Sequence, residues 1–431
     1  MTKFIGPYFS YPYIKKRETY PDFKLFLELM NLFSRIPHGI TIRGALYMWN
    51  QEIGKDWKES GDNLNLPFNK RTGNPLEITD IFVKNAKACD TKLIIDNYSF
   101  KYHKNTIKRF KEEFGYKNVI IDNRSEMSDP KNRINLALKN ERAIEGYMHD
   151  KFFLFSELTG IGQYVILQMT ANINYTQYHQ YNNFLVLYDN KELFDMYTKH
   201  WDNLKKRVMQ KKAWAFVDMT NRNIRFNQAN LHRNFQGDSI DEATKHKNGV
   251  WFFPRKTCPV EMHLKHITKT ANFSTKIYIA MSFLTRGNFS KILKKLKERG
   301  CEIRVIMSEE FQNRNTIIRL KKYKIPYCII KNNYLNENNY EKDENGNLVN
   351  IIGAFKDNWR GRMHHKFILI KHQNQKTVWT GSYNFTHPGL HLNDETMLKL
   401  IDPTLYNKFK KHFDRLWKNP KEIKKLKSLL I

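Results

Sequence analysis

The feature that most constrains this chain is a motif written twice. "YMHDKFFLF" at 147–155 and "RMHHKFILI" at 362–370 each place His, one intervening residue and Lys ahead of an apolar run. Side chains at i and i+2 of an extended segment share a face. His149 with Lys151, and His364 with Lys366, therefore project as pairs, while the intervening His365 falls on the opposite face and reads as core or helix-facing. A second apolar strand follows each pair, "YVILQMTANIN" and "KTVWTGSYNFT", ending in Thr170 and Asn172 or in Ser382 and Asn384. A strand ending in Gly-Ser-x-Asn lets the backbone come close to a ligand and supplies neutral donors. "YNNFLVLY" and "LNDETMLKL" add a third match, with Asn182 and Asn183 facing the register of Asn393, Asp394 and Glu395. Lys to Asn spans 21 residues in the first copy and 18 in the second, and the loop "TGIG" absorbs the difference.

The segments ahead of each motif repeat as well. "ITIRGALYMWN" reads as a strand, "EITDIFVKNAKACD" as an amphipathic helix and "TKLIIDNYS" as a buried strand. In the second half "TKIYIAMSFLTRG", "NFSKILKKLKERG" and "CEIRVIMSE" follow the same order, with Gly300 stopping the helix. Strands alternating with helices argue for mixed or parallel sheets covered by helices. The expected fold class is α/β, with two pseudo-symmetric lobes. The expected division is an N-terminal extension over 1–39, a first lobe over 40–205, a polar connecting region over 206–265 and a second lobe over 266–431. The chain is expected to close with a short basic helix docked through Ile423, Leu426 and Leu429. "EKDENGNLVN" at 341–350 reads as an exposed turn.

Length and composition bound the rest. With 431 residues and 41% hydrophobic content, the chain can build a packed core. A net charge of +30 favours polyanionic partners, either nucleic acid or an anionic membrane surface. Cys89, Cys258, Cys301 and Cys328 are too scattered for a disulfide framework or a zinc ribbon. "CPVEMHLKHITK" groups Cys258, His263 and His266 without a common closed zinc spacing, so no metal and no cofactor is expected. No apolar leader and no run of about 18 apolar residues is read, so a cytoplasmic location is expected.

The doubled pattern resembles the phospholipase D superfamily, whose signature is His-x-Lys followed by a Gly/Ser-x-Asn element, present twice. The resemblance covers roughly residues 40–420. The family's Asp, five residues after the Lys, is replaced by Ser156 and Lys371; the branch that includes tyrosyl-DNA phosphodiesterases lacks it too. The chemistry can also be argued from the residues. One imidazole attacks phosphorus, giving a phosphohistidine, and a second protonates the leaving oxygen and later activates water. Lysines and asparagines hold the phosphoryl oxygens where charge builds. His149, Lys151 and Asn172 form one half of such a site, and His364, Lys366, Ser382 and Asn384 the other. The residues alone leave the two histidine roles interchangeable; the resemblance implies His149 as nucleophile and His364 as acid/base. Glu395 either fixes one imidazole's tautomer or is a surface acid. The expected activity is a metal-independent phosphodiesterase, working as a monomer on DNA or RNA. The alternatives are a phospholipase D or transphosphatidylase acting on anionic membrane phospholipid, and a non-catalytic nucleic-acid-binding or structural relative.

Overall fold

The computed structural model describes residues 2–10, 24–52, 74–97, 104–123, 141–144, 146–174, 177, 180–210, 215–218, 224–226, 247–308, 311–330, 340–342, 348–350, 362–418 and 423–424. The first lobe contains β1 (Lys3–Phe9), α1 (Lys24–Phe33), β2 (Thr41–Leu46), α2 (Pro75–Ala86), β3 (Asp90–Asp96), α3 (Lys104–Phe114), β4 (Val119–Asp122), β5 (Glu141–Ile144), β6 (Lys151–Leu158), β7 (Gly162–Met169), β8 (Gln180–Tyr181), β9 (Asn183–Tyr188) and α4 (Lys191–Met209). Two short strands, β10 (Ala215–Asp218) and β11 (Ile224–Phe226), join β5 in a three-stranded sheet. The second lobe contains β12 (Gly249–Phe252), α5 (Pro259–Ile267), β13 (Lys276–Met281), α6 (Gly287–Glu298), β14 (Glu302–Ser308), α7 (Arg314–Lys322), β15 (Tyr327–Ile330), the hairpin β16 (Tyr340–Lys342) and β17 (Leu348–Asn350), β18 (Arg362–Met363), β19 (Lys366–His372), β20 (Gln375–Gly381), α8 (His387–His391), β21 (Thr396–Ile401), α9 (Pro403–Lys418) and β22 (Ile423–Lys424).

The two main sheets have matching orders. The first runs β1-β9-β7-β6-β2-β3-β4 and the second β12-β21-β20-β19-β13-β14-β15, with β22 added at its edge. In each, three consecutive strands are parallel (β2, β3, β4 and β13, β14, β15) and the rest pair antiparallel. The match extends to single residues. Thr170 and Ser382 each take a backbone N–H bond to the neighbouring strand, at Asn183 and Thr396, and each hydroxyl accepts the N–H returned by that residue.

Burial follows the strand period of two. Phe152 and Leu154 of β6, with Phe367 and Leu369 of β19, enter one central core shared by both lobes with α4 and α9. Phe153 and Phe155 face an outer core with α1, α2 and α3. Ile368 and Ile370 face another with α5 and α6. Local signals place the helices. Asn74 caps α2 by accepting the Glu77 N–H at 2.9 Å, and Pro75 occupies its first turn; such a cap contributes about 1 kcal/mol. Gly300, at φ +82°, turns the chain out of α6 into β14, a conformation that costs glycine least.

Three sequence expectations need correction. The segment assigned to an N-terminal extension supplies β1, the strand paired antiparallel with β9, and α1. The assigned connecting region supplies β12 and α5, which belong to the second sheet and its outer core. Within these segments Trp251 and Phe252 are buried and Phe9 is half-buried against the central core. Ile423 lies in a two-residue strand on β15 instead of a helix, because an open sheet edge offers backbone partners that the helical pattern does not reveal; Leu426 and Leu429 lie outside the described residues. In "EKDENGNLVN" the flanks pair as the β16–β17 hairpin, and 343–347 lie outside the described residues.

The glycine of Gly-Ser-x-Asn has a different reason from the one expected. A Cβ on Gly381 would overlap the backbone carbonyl of Thr396. The close approach is between β20 and β21, so the residue serves sheet packing.

Candidate active site

The lobes meet where each His-x-Lys begins. Met148 bridges to Asp394, and β18 pairs in parallel with β8 through Arg362–Gln180 and Met363–Tyr181. The His149 N–H donates to the Asp394 carbonyl at 2.9 Å and the His364 N–H to the Tyr181 carbonyl at 3.0 Å. Each histidine backbone is therefore held by the opposite lobe. Each side chain is too. His149 Nδ1 lies 2.8 Å from Glu395 Oε2, and His364 Nδ1 lies 2.8 Å from Asn182 Oδ1. Glu395 and Asn182 occupy matching positions, one residue before Thr396 and Asn183. The pseudo-symmetry is thus broken at one point: a carboxylate backs one imidazole and an amide the other.

The amide settles a tautomer. Asn182 donates through Nδ2 to the carbonyls of Gln177 and Gln180, at 3.1 and 3.4 Å, so its Oδ1 faces His364. His364 must then carry a proton on Nδ1, leaving Nε2 to exchange protons. Glu395 is fully buried, which answers the question of whether it is a surface acid.

Lys151 and Lys366 donate to the carbonyls of His149 and His364, at 2.7 and 2.8 Å. Both ammonium groups are buried. Burial pushes Lys151 down to about 7, against the charges of Glu395, Asp150 and Asp96. Burial also holds Lys366 well below the usual lysine range, and the charge of Lys151 adds to the effect. His149 is held well below an ordinary histidine by burial, then by Lys151, Lys366 and Arg362. His364 is held low by burial, then by Lys366, Arg362, Lys151 and His149. Burial lifts Glu395 to about 8, against Lys151. Groups from both lobes thus act on one another in a single buried electrostatic environment, where burial disfavours every charged form.

Asn172 and Asn384 sit at matching positions beyond β7 and β20. Each keeps a buried side-chain oxygen without a hydrogen-bond partner among the described residues. Turning either amide over presents its NH2 group at the same place, where a phosphoryl oxygen can be received. The Ser382 hydroxyl accepts the Thr396 N–H at 2.9 Å, which holds β21 in register, and its hydrogen bond to Glu395 favours the ionised carboxyl, so the residue joins the strand to the site.

Sequence reasoning passed over three residues here. Arg362 is buried, lies over the Phe283 ring at 4.5 Å, and its charge reaches both histidines. Its place two residues before His364, in strand register with His364 and Lys366, was a usable signal. Tyr47, at the end of β2, lies 4.8 Å from the His149 ring, with Lys151 Nζ 5.1 Å over its face. No local pattern marks it. Asn182 was seen in register but not as the partner of His364.

The intervening residues face away, as expected for His365. Asp150 accepts from the Thr396 hydroxyl at 2.6 Å and pairs with His200 Nε2 of α4 at 2.8 Å. His365 pairs with Asn183 Oδ1 at 2.9 Å and with His412 Nε2 of α9 at 2.7 Å. His200 stacks on Phe252 and His412 on Phe9, with ring centroids 4.0 and 3.8 Å apart. Two equivalent polar clasps thus lie behind the site, each reaching into the opposite lobe. His263 accepts from Trp379 Nε1 at 3.1 Å within the outer core. Among the described residues no three His, Cys, Asp or Glu side chains are placed to hold a metal ion.

A family model described as "Cardiolipin synthase, PLD-like domain" matches residues 264–417, most of the second lobe. Residues 264–417 are thus phospholipase D-like. A stretch of 66 residues is 35% identical to the mitochondrial cardiolipin hydrolase of Chlamydomonas reinhardtii, covering 15% of this chain and 28% of that protein. The match therefore spans well under two thirds of that relative. Phosphatidylserine synthase from Haemophilus influenzae shares the fold over 99% of this chain and 87% of its own, with a TM-score of 0.52 and 12% identity. Nuc from Salmonella typhimurium, a phospholipase D family member, matches 41% of this chain and 96% of its own, with a TM-score of 0.30 and 18% identity. No helix among the described residues is long and apolar enough to cross a membrane.

Proposed function

We infer that the chain is a phosphodiesterase that works through a phosphohistidine on nucleic acid, without a metal ion. The observation that carries this reading is the pair of matched imidazoles, each fixed through Nδ1 by the opposite lobe, with two buried lysines in the same field. His149 Nε2 attacks phosphorus and the bond to the leaving oxygen breaks. That oxygen takes the proton from Nε2 of a His364 imidazolium, a form that the bound phosphate anion stabilises and that keeps its other proton on Nδ1 against Asn182. Water then gives a proton to His364 Nε2, its oxygen attacks phosphorus, and His149 is released. Glu395 supports this order: burial keeps it protonated up to about 8 in the free site, and the positive charge of a phosphorylated imidazole 2.8 Å away favours its carboxylate, which then compensates that charge. Asn182 adds no charge, so His364 remains free to lose and regain its proton. Lys151, Lys366, Arg362, Asn172 and Asn384 receive the non-bridging oxygens.

The nucleic-acid reading is supported by the net charge of +30. The exposed large apolar side chains among the described residues, Tyr116, Met209, Phe273 and Ile318, lie on separate elements. A lipid-entry face would need them together. In EDTA the protein is expected to degrade plasmid, single-stranded DNA or RNA and to leave mixed phospholipid vesicles intact. Release of choline or ethanolamine from the vesicles, with nucleic acid untouched, would transfer the same chemistry to lipid.

The pH dependence has a definite sign. Lys151 is cationic below about 7 in the free protein and neutral above it. kcat/KM is expected to fall up to tenfold per pH unit above that point. Lys151→Arg should remove this alkaline limb, because a guanidinium stays charged, and Glu395→Gln should keep it. A limb unchanged in Lys151→Arg would show that another group sets it.

A further inference from the structure

Away from the catalytic histidines, a groove of about 720 Å³ runs between β1 and α9. Lys24, Lys408, Lys411, His412 and Arg415 line it, facing Tyr8 and Phe9. A second concavity of about 470 Å³ continues along α9 and shares Lys411 and Arg415 while adding Lys418. Lys408, Lys411, Arg415 and Lys418 are all exposed and recur at helical spacing, so they form one stripe. The neighbouring Lys410 is paired with Asp414 at 2.6 Å.

In a chain this basic, a cationic stripe could be no more than a solvated face. The pseudo-symmetry supplies an internal control. The matching edge of the other lobe, between β12 and α4, holds a groove of only about 210 Å³, whose charged lining is one Glu192 and one Lys247. With His200 aligned to His412, the positions of Lys408 and Arg415 are taken by Met196 and Asn203, while Lys199 and Lys206 match Lys411 and Lys418. Two of the four cations, and the larger groove, are therefore particular to one of two equivalent edges.

We propose that the β1–α9 groove is a second nucleic-acid site, holding the phosphate backbone of a strand at a distance from the reacting phosphodiester. The size fits. From Lys408 to Lys418 the helix rises about 15 Å, and a strand of B-form DNA carries one charge per about 3.4 Å of axis. Four cations thus face about four phosphates. The side chains of Tyr8 and Phe9 at the wall add apolar surface beside the charges. The proposal rests on the substrate class read above, but not on the catalytic residues.

The test uses full-length protein carrying His149→Ala, so that substrate survives, and a fluorescein-labelled single-stranded DNA. The variant Lys408→Gln, Lys411→Gln, Arg415→Gln should lower the slope of log K against log salt by about 2. A control with three charges removed elsewhere, Lys199→Gln, Lys206→Gln, Lys247→Gln, should change it by less than about 1. The groove variant with His149 intact should hydrolyse bis(p-nitrophenyl) phosphate at the unaltered rate. An unchanged slope, or an equal drop in the control, overturns the proposal. So does loss of binding to anionic phospholipid vesicles with DNA binding retained. Failure of the parent protein to hydrolyse bis(p-nitrophenyl) phosphate would strike the catalytic reading alone, since binding is measured independently.

Discussion

His364→Ala is expected to release one equivalent of p-nitrophenol rapidly from a p-nitrophenyl phosphodiester and then turn over about 10²–10⁴-fold more slowly than the parent. A good leaving group needs no proton, so the first step survives; the second lacks its base. His149→Ala should show no burst at all, because the atom that attacks phosphorus is gone. Mass spectrometry of quenched His364→Ala should find the phosphoryl group on His149, and added imidazole should speed its release. A burst in His149→Ala instead would exchange the two roles. Steady turnover without a burst, in both variants at the parent rate, would remove the covalent step. The difference in backing groups makes the experiment informative: His149 faces Glu395 and His364 faces Asn182 at the same 2.8 Å. Only the first pair can compensate a positive imidazole.

The largest expected effect on stability is at His200. Removing it leaves Asp150 fully buried with one partner fewer, and breaking such a pair costs about 3–5 kcal/mol. His412→Ala removes an equivalent imidazole from an equivalent stack, but the group left behind is His365, which keeps Asn183 as a partner. Its expected cost is the lower one of an unsatisfied neutral group, about 1–3 kcal/mol beyond the shared loss of packing. Because the cavities and stacking aromatics match, the difference between the two variants in urea unfolding isolates the charge. Equal midpoints would mean that the asymmetry between Asp150 and His365 carries no energetic weight.

Much of the site was legible in the chain itself, for a physical reason. The i, i+2 rule pairs His149 with Lys151 and His364 with Lys366 before any fold is known, and period-two burial of Phe152 to Phe155 and Phe367 to Ile370 follows from the same geometry. Asn172 and Asn384 are legible as a matched pair because each follows the strand adjacent to its motif at a like distance. Arg362 was readable and overlooked. Tyr47 could not be read, since it approaches His149 from a strand more than a hundred residues away. Ser382 is legible as a site residue, but its double contact, with the Thr396 N–H and with Glu395, is visible only in the fold. β1 and β12 were missed because each is an edge strand whose partner lies far along the chain, β9 for one and β21 for the other.

By itself, the order of residues determined that two like halves would each present an imidazole beside an ammonium at the start of a buried strand. Local periodicity and spacing are properties of the chain and survive without knowledge of its neighbours. Only the tertiary structure decided that each imidazole is held from the opposite lobe, that a carboxyl group backs one and an amide the other, and that one of two matching edges is wider and more basic than the other. Those facts depend on contacts between residues about 180 to 250 positions apart, which no local pattern encodes and which exist only once the two sheets share one core.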